Sequence, residues 1–358
     1  MSTGRTRAVR LTRWGGPPIL TEVARPTPTA EEVLIQVEAA GLCRSDLHVV
    51  DARQGDLPYR IPFTLGHEVA GRVVERGPLA RGPAVGERVV VYGPWGCGSC
   101  ARCAVGAENY CDRRPALDAD RVGTGAGLGR DGGMADLMLV PSGRLLVPVG
   151  DLAAEQAAPL SDAGLTAYHA VATVRHALSD DTPDACVVVL GIGGLGHLAV
   201  QILRATTTAQ VLAVDVREEA LTLADECGAH FGTLLRPDTA ATLRDRTGGV
   251  GAVAVLDFVG SSSSLRPAVD VLRPGGELAV VGSGGGELAV RKPGALPPGT
   301  RISLPFWGTL PELEEVVALA RKGVLKVGVE RFALSNAPEA MARLRTGDVR
   351  GRAVLIPD

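Results

Sequence analysis

An α/β chain of two domains, one β-rich and one a doubly wound parallel sheet, is predicted by three observations. The first is length, since 358 residues correspond to about two domains at roughly 150 residues each. The second is a change of pattern near residue 153. Short Val/Ile/Leu runs between Gly/Pro turns give way to continuous apolar runs alternating with helical periodicity. The third is a glycine-rich stretch directly after one of those apolar runs. With 46% hydrophobic and 22% charged residues the composition is ordinary for a globular protein. A net charge of -3 argues against a basic nucleic-acid-binding face. No apolar run approaches the roughly 20 residues of a membrane span, and the opening MSTGRTRAVRLTRW has no apolar signal segment. The expected location is cytoplasmic, with neither nucleic acid nor membrane as partner.

Residues 33–40, 68–75, 88–92 and 137–140 read as strands spaced for a small barrel or sandwich. Residues 93–133 are rich in Gly, Cys and charge and read as an excursion held by something other than an apolar core. Periodicity turns helical over 152–160 and 165–178. Residues 185–190 (ACVVVL), 210–214 (QVLAV), 252–258 and 277–281 read as buried strands, with helices over 195–205 and 218–227. Apolar strands alternating with amphipathic helices indicate a parallel sheet covered on both faces. A helix follows at 311–322, and 351–356 reads as a strand that rejoins the first domain. The four serines at 261–264 read as a short polar loop, and 277–281 as a strand able to extend the sheet across subunits.

Gly191-Ile192-Gly193-Gly194-Leu195-Gly196 follows the ACVVVL strand and opens a helix, and Asp215 ends the next apolar strand. Strand, glycines, helix, strand and acid in this order form a Rossmann dinucleotide fingerprint. The glycines permit a tight turn and let backbone N–H groups approach a pyrophosphate at the helix N-terminus. The Asp215 carboxylate suits the adenosine ribose hydroxyls and repels a 2′-phosphate, which favours NAD. Arg217, close by, could still accommodate a phosphate.

Seven cysteines are present, and Cys97, Cys100, Cys103 and Cys111 crowd together. The spacing suits a closed tetrahedral zinc site of structural role. An iron–sulfur cluster is the competing reading, but the bacterial ferredoxin run ends in Cys-Pro and here Asp112 follows Cys111. Cys186 and Cys227 fall in strand and helix patterns and read as core. Cys43, His67 and Asp162 are individually unremarkable: a lone Cys is most often a small buried hydrophobe, a lone His a satisfied polar group, and an Asp before Ala-Gly a cap.

Taken in order, however, Gly41-Leu42-Cys43-Arg44-Ser45-Asp46, Gly66-His67-Glu68, the four-cysteine lobe, the Asp162 segment and the Rossmann fingerprint resemble the zinc-dependent alcohol dehydrogenases of the medium-chain dehydrogenase/reductase superfamily. Within it the resemblance is strongest to bacterial NAD-dependent secondary-alcohol dehydrogenases, through residues 92–98 (YGPWGCG), 159–166 (PLSDAGLT) and 305–308 (PFWG). The resemblance implies a GroES-like catalytic domain over 1–162 and 307–358, with a structural zinc lobe at 93–115, and a Rossmann NAD-binding domain over 163–306. It implies two zinc ions per chain: a structural one on the four cysteines and a catalytic one on Cys43, His67 and Asp162. Many relatives carry Cys at the third position. Glu68 is implied to lie behind the ligands, with transient coordination during exchange as a further option, and Asp46 to orient a ligand.

The same resemblance makes Ser45 and His48 the proton relay, although some relatives of this branch lack the histidine. Thr166 and Leu195 match positions on the nicotinamide side, and Arg44 and Arg352 positions near the pyrophosphate. Leu57 and Trp307, with Tyr59 and Trp95, match walls of a substrate pocket. The implied activity is reversible oxidation of alcohols, secondary ones foremost, to ketones or aldehydes with hydride transfer to NAD. A polyol dehydrogenase or a pathway-specific carbonyl reductase on the same scaffold is the alternative, and a catalytically silent NAD-binding protein is the alternative of another class. A small-molecule alcohol or ketone is the expected partner, in a homo-oligomer, tetramer or dimer.

Overall fold

A computed structural model describes residues 4–119, 123–178, 185–294 and 296–358. The chain forms two compact units, one of Met1–Leu165 with Trp307–Asp358 and one of Thr166–Phe306.

In the first unit the strand Val33–Leu42 is buried along nearly its whole length. It pairs antiparallel with Glu68–Arg76, Leu137–Val140 and the C-terminal strand Arg352–Ile356. The chain end therefore rejoins the first unit, as 351–356 suggested. Register matters more than the pairing itself. Gly41 lies opposite Glu68, and Leu42 opposite Ala353. The ends of three strands thus meet where Cys43, His67, Glu68 and Arg352 stand. A second sheet joins Arg5–Leu11 to Ile19–Ala24 and Phe63–Thr64. None of these three strands stands out in the sequence, because polar residues interrupt the apolar ones in the first two and the third is only two residues long.

Among its described residues the 93–133 excursion holds only short elements, including helices Ala101–Ala104, Glu108–Tyr110 and Arg114–Ala119. The later helix Leu310–Arg321 starts at a capping box, in which Thr309 Oγ1 accepts from the Glu312 N–H (3.3 Å) and Glu312 Oε2 from the Thr309 N–H (2.8 Å).

The second unit is built on six parallel strands in the spatial order Phe231–Leu234, Gln210–Asp215, Cys186–Leu190, Ala252–Asp257, Leu272–Val280, Arg301–Ser303. Counted along the chain this is the 3-2-1-4-5-6 order of a doubly wound dinucleotide fold. Its core includes Val188, Leu190, Leu212, Val255 and Leu278.

The structure departs from the sequence expectation at two places. Residues 261–264 are not a loop but the start of the helix Ser262–Val271. Ser261 Oγ accepts from the Ser264 N–H (3.3 Å), and Ser264 Oγ from the Ser261 N–H (3.0 Å). Serine is an indifferent helix former but a strong cap, so a run of serines hid a helix N-terminus. The 277–281 strand is not free to pair outward, because Leu272–Val280 is paired on both sides and Arg301–Ser303 lies beyond it. No described helix is long and apolar enough to cross a membrane.

Candidate active site and metal centres

Cys43 is the N-cap of the helix Arg44–Asp51, directly after the central strand. His67 precedes the strand Glu68–Arg76, and Asp162 stands between a 3₁₀ turn, Ala158–Ser161, and the helix Ala163–Thr173. The fold brings one potential ligand atom from each to within 4.8 Å of the others. Asp162 Oδ2 is 3.6 Å from Cys43 Sγ and 3.5 Å from His67 Nε2. Tetrahedral zinc with bonds near 2.0–2.3 Å separates its ligands by about 3.3–3.8 Å, so the donor set fits the ion in both chemistry and spacing. Three protein ligands leave one position for water or substrate.

The surroundings support the same reading. Asp46, fully buried, accepts from the Cys43 N–H through Oδ2 (2.8 Å). Its Oδ1 lies 3.2 Å from His67 Nδ1, a contact close enough to pair electrostatically though not aligned as a hydrogen bond. One carboxylate thus braces two ligands and leaves Nε2 of His67 facing Asp162. Burial opposes a charge on His67, yet Asp46, Asp162 and Cys43 outweigh it and draw its pKa well above the ordinary value.

Ser45 Oγ is 3.7 Å from Cys43 Sγ. His48 lies three residues on, on the same helix, with its side chain exposed. Trp307 stands edge-to-face with His67 at 5.8 Å between ring centres. Its backbone is in the left-handed region at φ 56°, which is costly for a bulky residue. Three contacts hold it there. Nε1 donates to Ser161 O (2.9 Å), Tyr92 Oη donates to Gly308 O (2.7 Å), and Gly93 leaves room for the ring. Leu57 is half-buried, whereas Tyr59 and Trp95 are buried.

One residue sits differently from expectation. Arg352, expected near the cofactor phosphates, is buried and turned to Glu68. Nε donates to Oε2 (2.8 Å), Nη2 contacts Oε1, and Nη2 lies 3.5 Å from Asp162 Oδ2. Glu68 lies behind the ligands, held by this guanidinium and by the Ala163 N–H (2.9 Å). Burial pushes Glu68 above the ordinary carboxylate range, and Arg352 offsets part of that. A Cβ on Gly41 would come within 1.9 Å of Glu68 Oε2, so glycine at 41 is what admits the buried pair. Nothing in the local sequence signals it, because its partners lie 284 residues apart.

The four clustered cysteines also meet. Sγ–Sγ distances are 3.9 Å for Cys97–Cys103, 3.5 Å for Cys100–Cys103 and 4.0 Å for Cys100–Cys111. These are far too long for disulfides and near the ~3.8 Å edge of a zinc–thiolate tetrahedron. Backbone N–H groups of Cys97, Cys100 and Cys103 point at neighbouring sulfurs. Cys97 is drawn down to about 6 by the Ser99 N–H, whereas burial pushes Cys103 up to about 12. Gly96 permits the close approach, since its Cβ would lie 2.6 Å from Cys103 Sγ.

In the second unit Gly191 has φ 87°, and a Cβ on Gly196 would lie 1.9 Å from Gly191 O. Nothing lies within 4 Å of a Cβ built on Gly193, which leaves its backbone open to a phosphate. Gly194 is half-buried, and Leu195 caps the helix Gly196–Thr206. Asp215 accepts from Ile192 N–H (2.7 Å) through Oδ2 and from Val216 N–H (2.8 Å) and Arg217 N–H (3.1 Å) through Oδ1. The carboxylate therefore ties the fingerprint loop to the second strand. Thr166 is buried on the helix Ala163–Thr173.

Comparison with known proteins agrees with this architecture. The family described as "Alcohol dehydrogenase GroES-like domain" matches residues 29–151, and "Zinc-binding dehydrogenase" matches residues 194–322. An NAD-dependent alcohol dehydrogenase of Sulfurisphaera tokodaii is 37% identical, the match covering 98% of this chain and all of the relative. A D-arabinose 1-dehydrogenase (NADP(+)) of Saccharolobus solfataricus is 32% identical over 99% of this chain and 98% of its own length. The crystal structure of the alcohol dehydrogenase from Aeropyrum pernix superposes with a TM-score of 0.88 at 34% identity, covering 98% of this chain and 100% of that one. The chain belongs to the zinc-dependent alcohol dehydrogenases of the medium-chain dehydrogenase/reductase superfamily.

Proposed function

We propose that this protein oxidises secondary alcohols to ketones, reversibly, with NAD as hydride acceptor and with Cys43, His67 and Asp162 as the catalytic zinc ligands. The observation that carries this reading is the mutual spacing of those three ligand atoms, with Asp46 braced behind two of them. Bound zinc supplies Lewis acidity that makes an alcohol oxygen acidic near neutral pH, and bound NAD accepts the hydride.

The chain's residues do the rest. Asp46 orients His67 and fixes the Cys43 backbone. Ser45 Oγ, beside Cys43, accepts the alcohol proton as it releases its own, and His48, exposed on the same helix, is the outer base that takes up the relayed proton and passes it to water. Trp307, locked over His67, forms an apolar wall and excludes water there. Gly191, Gly193, Gly194, Leu195 and Gly196 receive the pyrophosphate, Asp215 the adenosine ribose, and Thr166 the nicotinamide side. Cys97, Cys100, Cys103 and Cys111 hold the structural zinc, which organises a lobe lacking its own core.

Aromatic walls favour alkyl and aryl ketones over polyols. The likeness to a D-arabinose dehydrogenase supports a sugar or polyol as the second reading. We also assign a cytoplasmic homo-oligomer. The exposed Leu304 (74%) beside the edge strand Arg301–Ser303 supports an association face. Light scattering giving a monomer would overturn the oligomer.

The test is NADH and NADPH oxidation, side by side, with simple ketones, aryl ketones, aldehydes and sugars, before and after a zinc chelator. Chelator-sensitive turnover of ketones with NADH is expected. Turnover of sugars alone would replace the substrate class, and a preference for NADPH would overturn the role of Asp215.

A further inference from the structure

The six-stranded sheet reverses its winding between Cys186–Leu190 and Ala252–Asp257. The glycine fingerprint and Asp215 stand at the carboxyl ends of the first and second strands, on one side of that point. A dinucleotide laid across the switch point places its other nucleotide over the carboxyl ends of Ala252–Asp257 and Leu272–Val280. Two loops stand there, residues 258–261 with Gly260 and residues 281–286 with four glycines, packed backbone against backbone. A Cβ on Gly260 would lie 1.9 Å from Gly282 O, and one on Gly286 2.5 Å from the Ser261 carbonyl carbon. Gly284 N–H donates to Val259 O (3.0 Å) and Gly286 N–H to Gly260 O (2.9 Å).

One carboxylate fixes this double loop from beneath. Asp257 Oδ1 accepts from Val259 N–H (2.8 Å) and Gly260 N–H (2.9 Å), and Oδ2 from Ser264 O–H (2.8 Å). The Asp257 carbonyl accepts from Val281 N–H (2.8 Å) and Gly282 N–H (3.0 Å). The residue is 0% exposed, so it acts through the loops rather than on a ligand. Asp215 does the equivalent tying on the other half of the sheet.

We infer that Asp257 is a positioning residue for the nicotinamide half of the cofactor: it sets the height of the double loop on which that half rests. The inference depends on the dinucleotide reading above. Its test titrates the zinc-loaded protein with NADH and with ADP-ribose, which lacks the nicotinamide. Asp257→Asn keeps size and loses the charged acceptor. NADH affinity is expected to fall about tenfold, the order of one charge-assisted hydrogen bond. ADP-ribose affinity is expected to stay within about twofold, as for an untouched adenosine half.

Equal weakening of both probes, or of neither, overturns the inference. Should Asp257→Asn fail to fold, Ser264→Ala removes one bond to the same carboxylate, together with the Ser261 N–H bond of the helix cap, and is judged by the same difference between probes. A wild-type protein that binds neither probe overturns the dinucleotide reading itself, and the inference with it.

Discussion

Replacing Arg352 by Met separates two accounts of this residue. In the structure Arg352 is 4% exposed and its guanidinium meets a Glu68 that is 0% exposed. Without it Glu68 keeps the Ala163 N–H and loses both guanidinium contacts. Stranding one partner of a buried ion pair costs about 3–5 kcal/mol. In a unit of this size that lowers Tm by about 10 °C, read by calorimetry at one scan rate on zinc-loaded protein. The double variant E68Q/R352M should recover at least half of the loss, because glutamine needs no cation. Had Arg352 served the cofactor phosphates instead, R352M would weaken NADH binding and leave Tm within about 2 °C of wild type. That result, or a double variant no better than R352M, would refute the ion-pair account.

Two further outcomes follow from the same geometry. Cys103→Ser should reduce zinc from two to one per chain by elemental analysis and open the lobe to trypsin at the exposed Arg102; two zinc ions and an intact lobe would contradict the structural site. Gly93→Ala places a Cβ 2.1 Å from Trp307 Cζ2 and forces the ring to move. KM for an aryl ketone should then change about tenfold with NADH affinity unchanged, and an unchanged KM would remove Trp307 from the substrate wall.

Much of the site was legible because metal and phosphate chemistry demand particular residue types. Only thiolates, imidazoles and carboxylates hold zinc, so the four-cysteine run stands out in a chain with seven cysteines, whereas Cys43, His67 and Asp162 are legible only through the ordered motifs of the family resemblance. The glycine fingerprint was legible for the same reason: only glycine admits both the φ of Gly191 and the contact at Gly196. What stayed hidden depends on register between distant strands. Gly41 faces Glu68, and Arg352 follows from the far end of the chain, because three strands align. No local pattern encodes that alignment. The helix at Ser262–Val271 was concealed because serine's capping strength is indistinguishable in sequence from a polar loop. Asp257 drew no attention because a strand-end aspartate is common, and its importance lies in which N–H groups it meets.

The central claim is that Cys43, His67 and Asp162 hold the zinc that makes this chain an enzyme. The most direct measurement is zinc content together with ketone reduction in Asp162→Ala. The account predicts one zinc per chain, retained by Cys97, Cys100, Cys103 and Cys111, NADH binding at wild-type affinity, and no turnover. Two tightly held zinc ions with turnover preserved would contradict it.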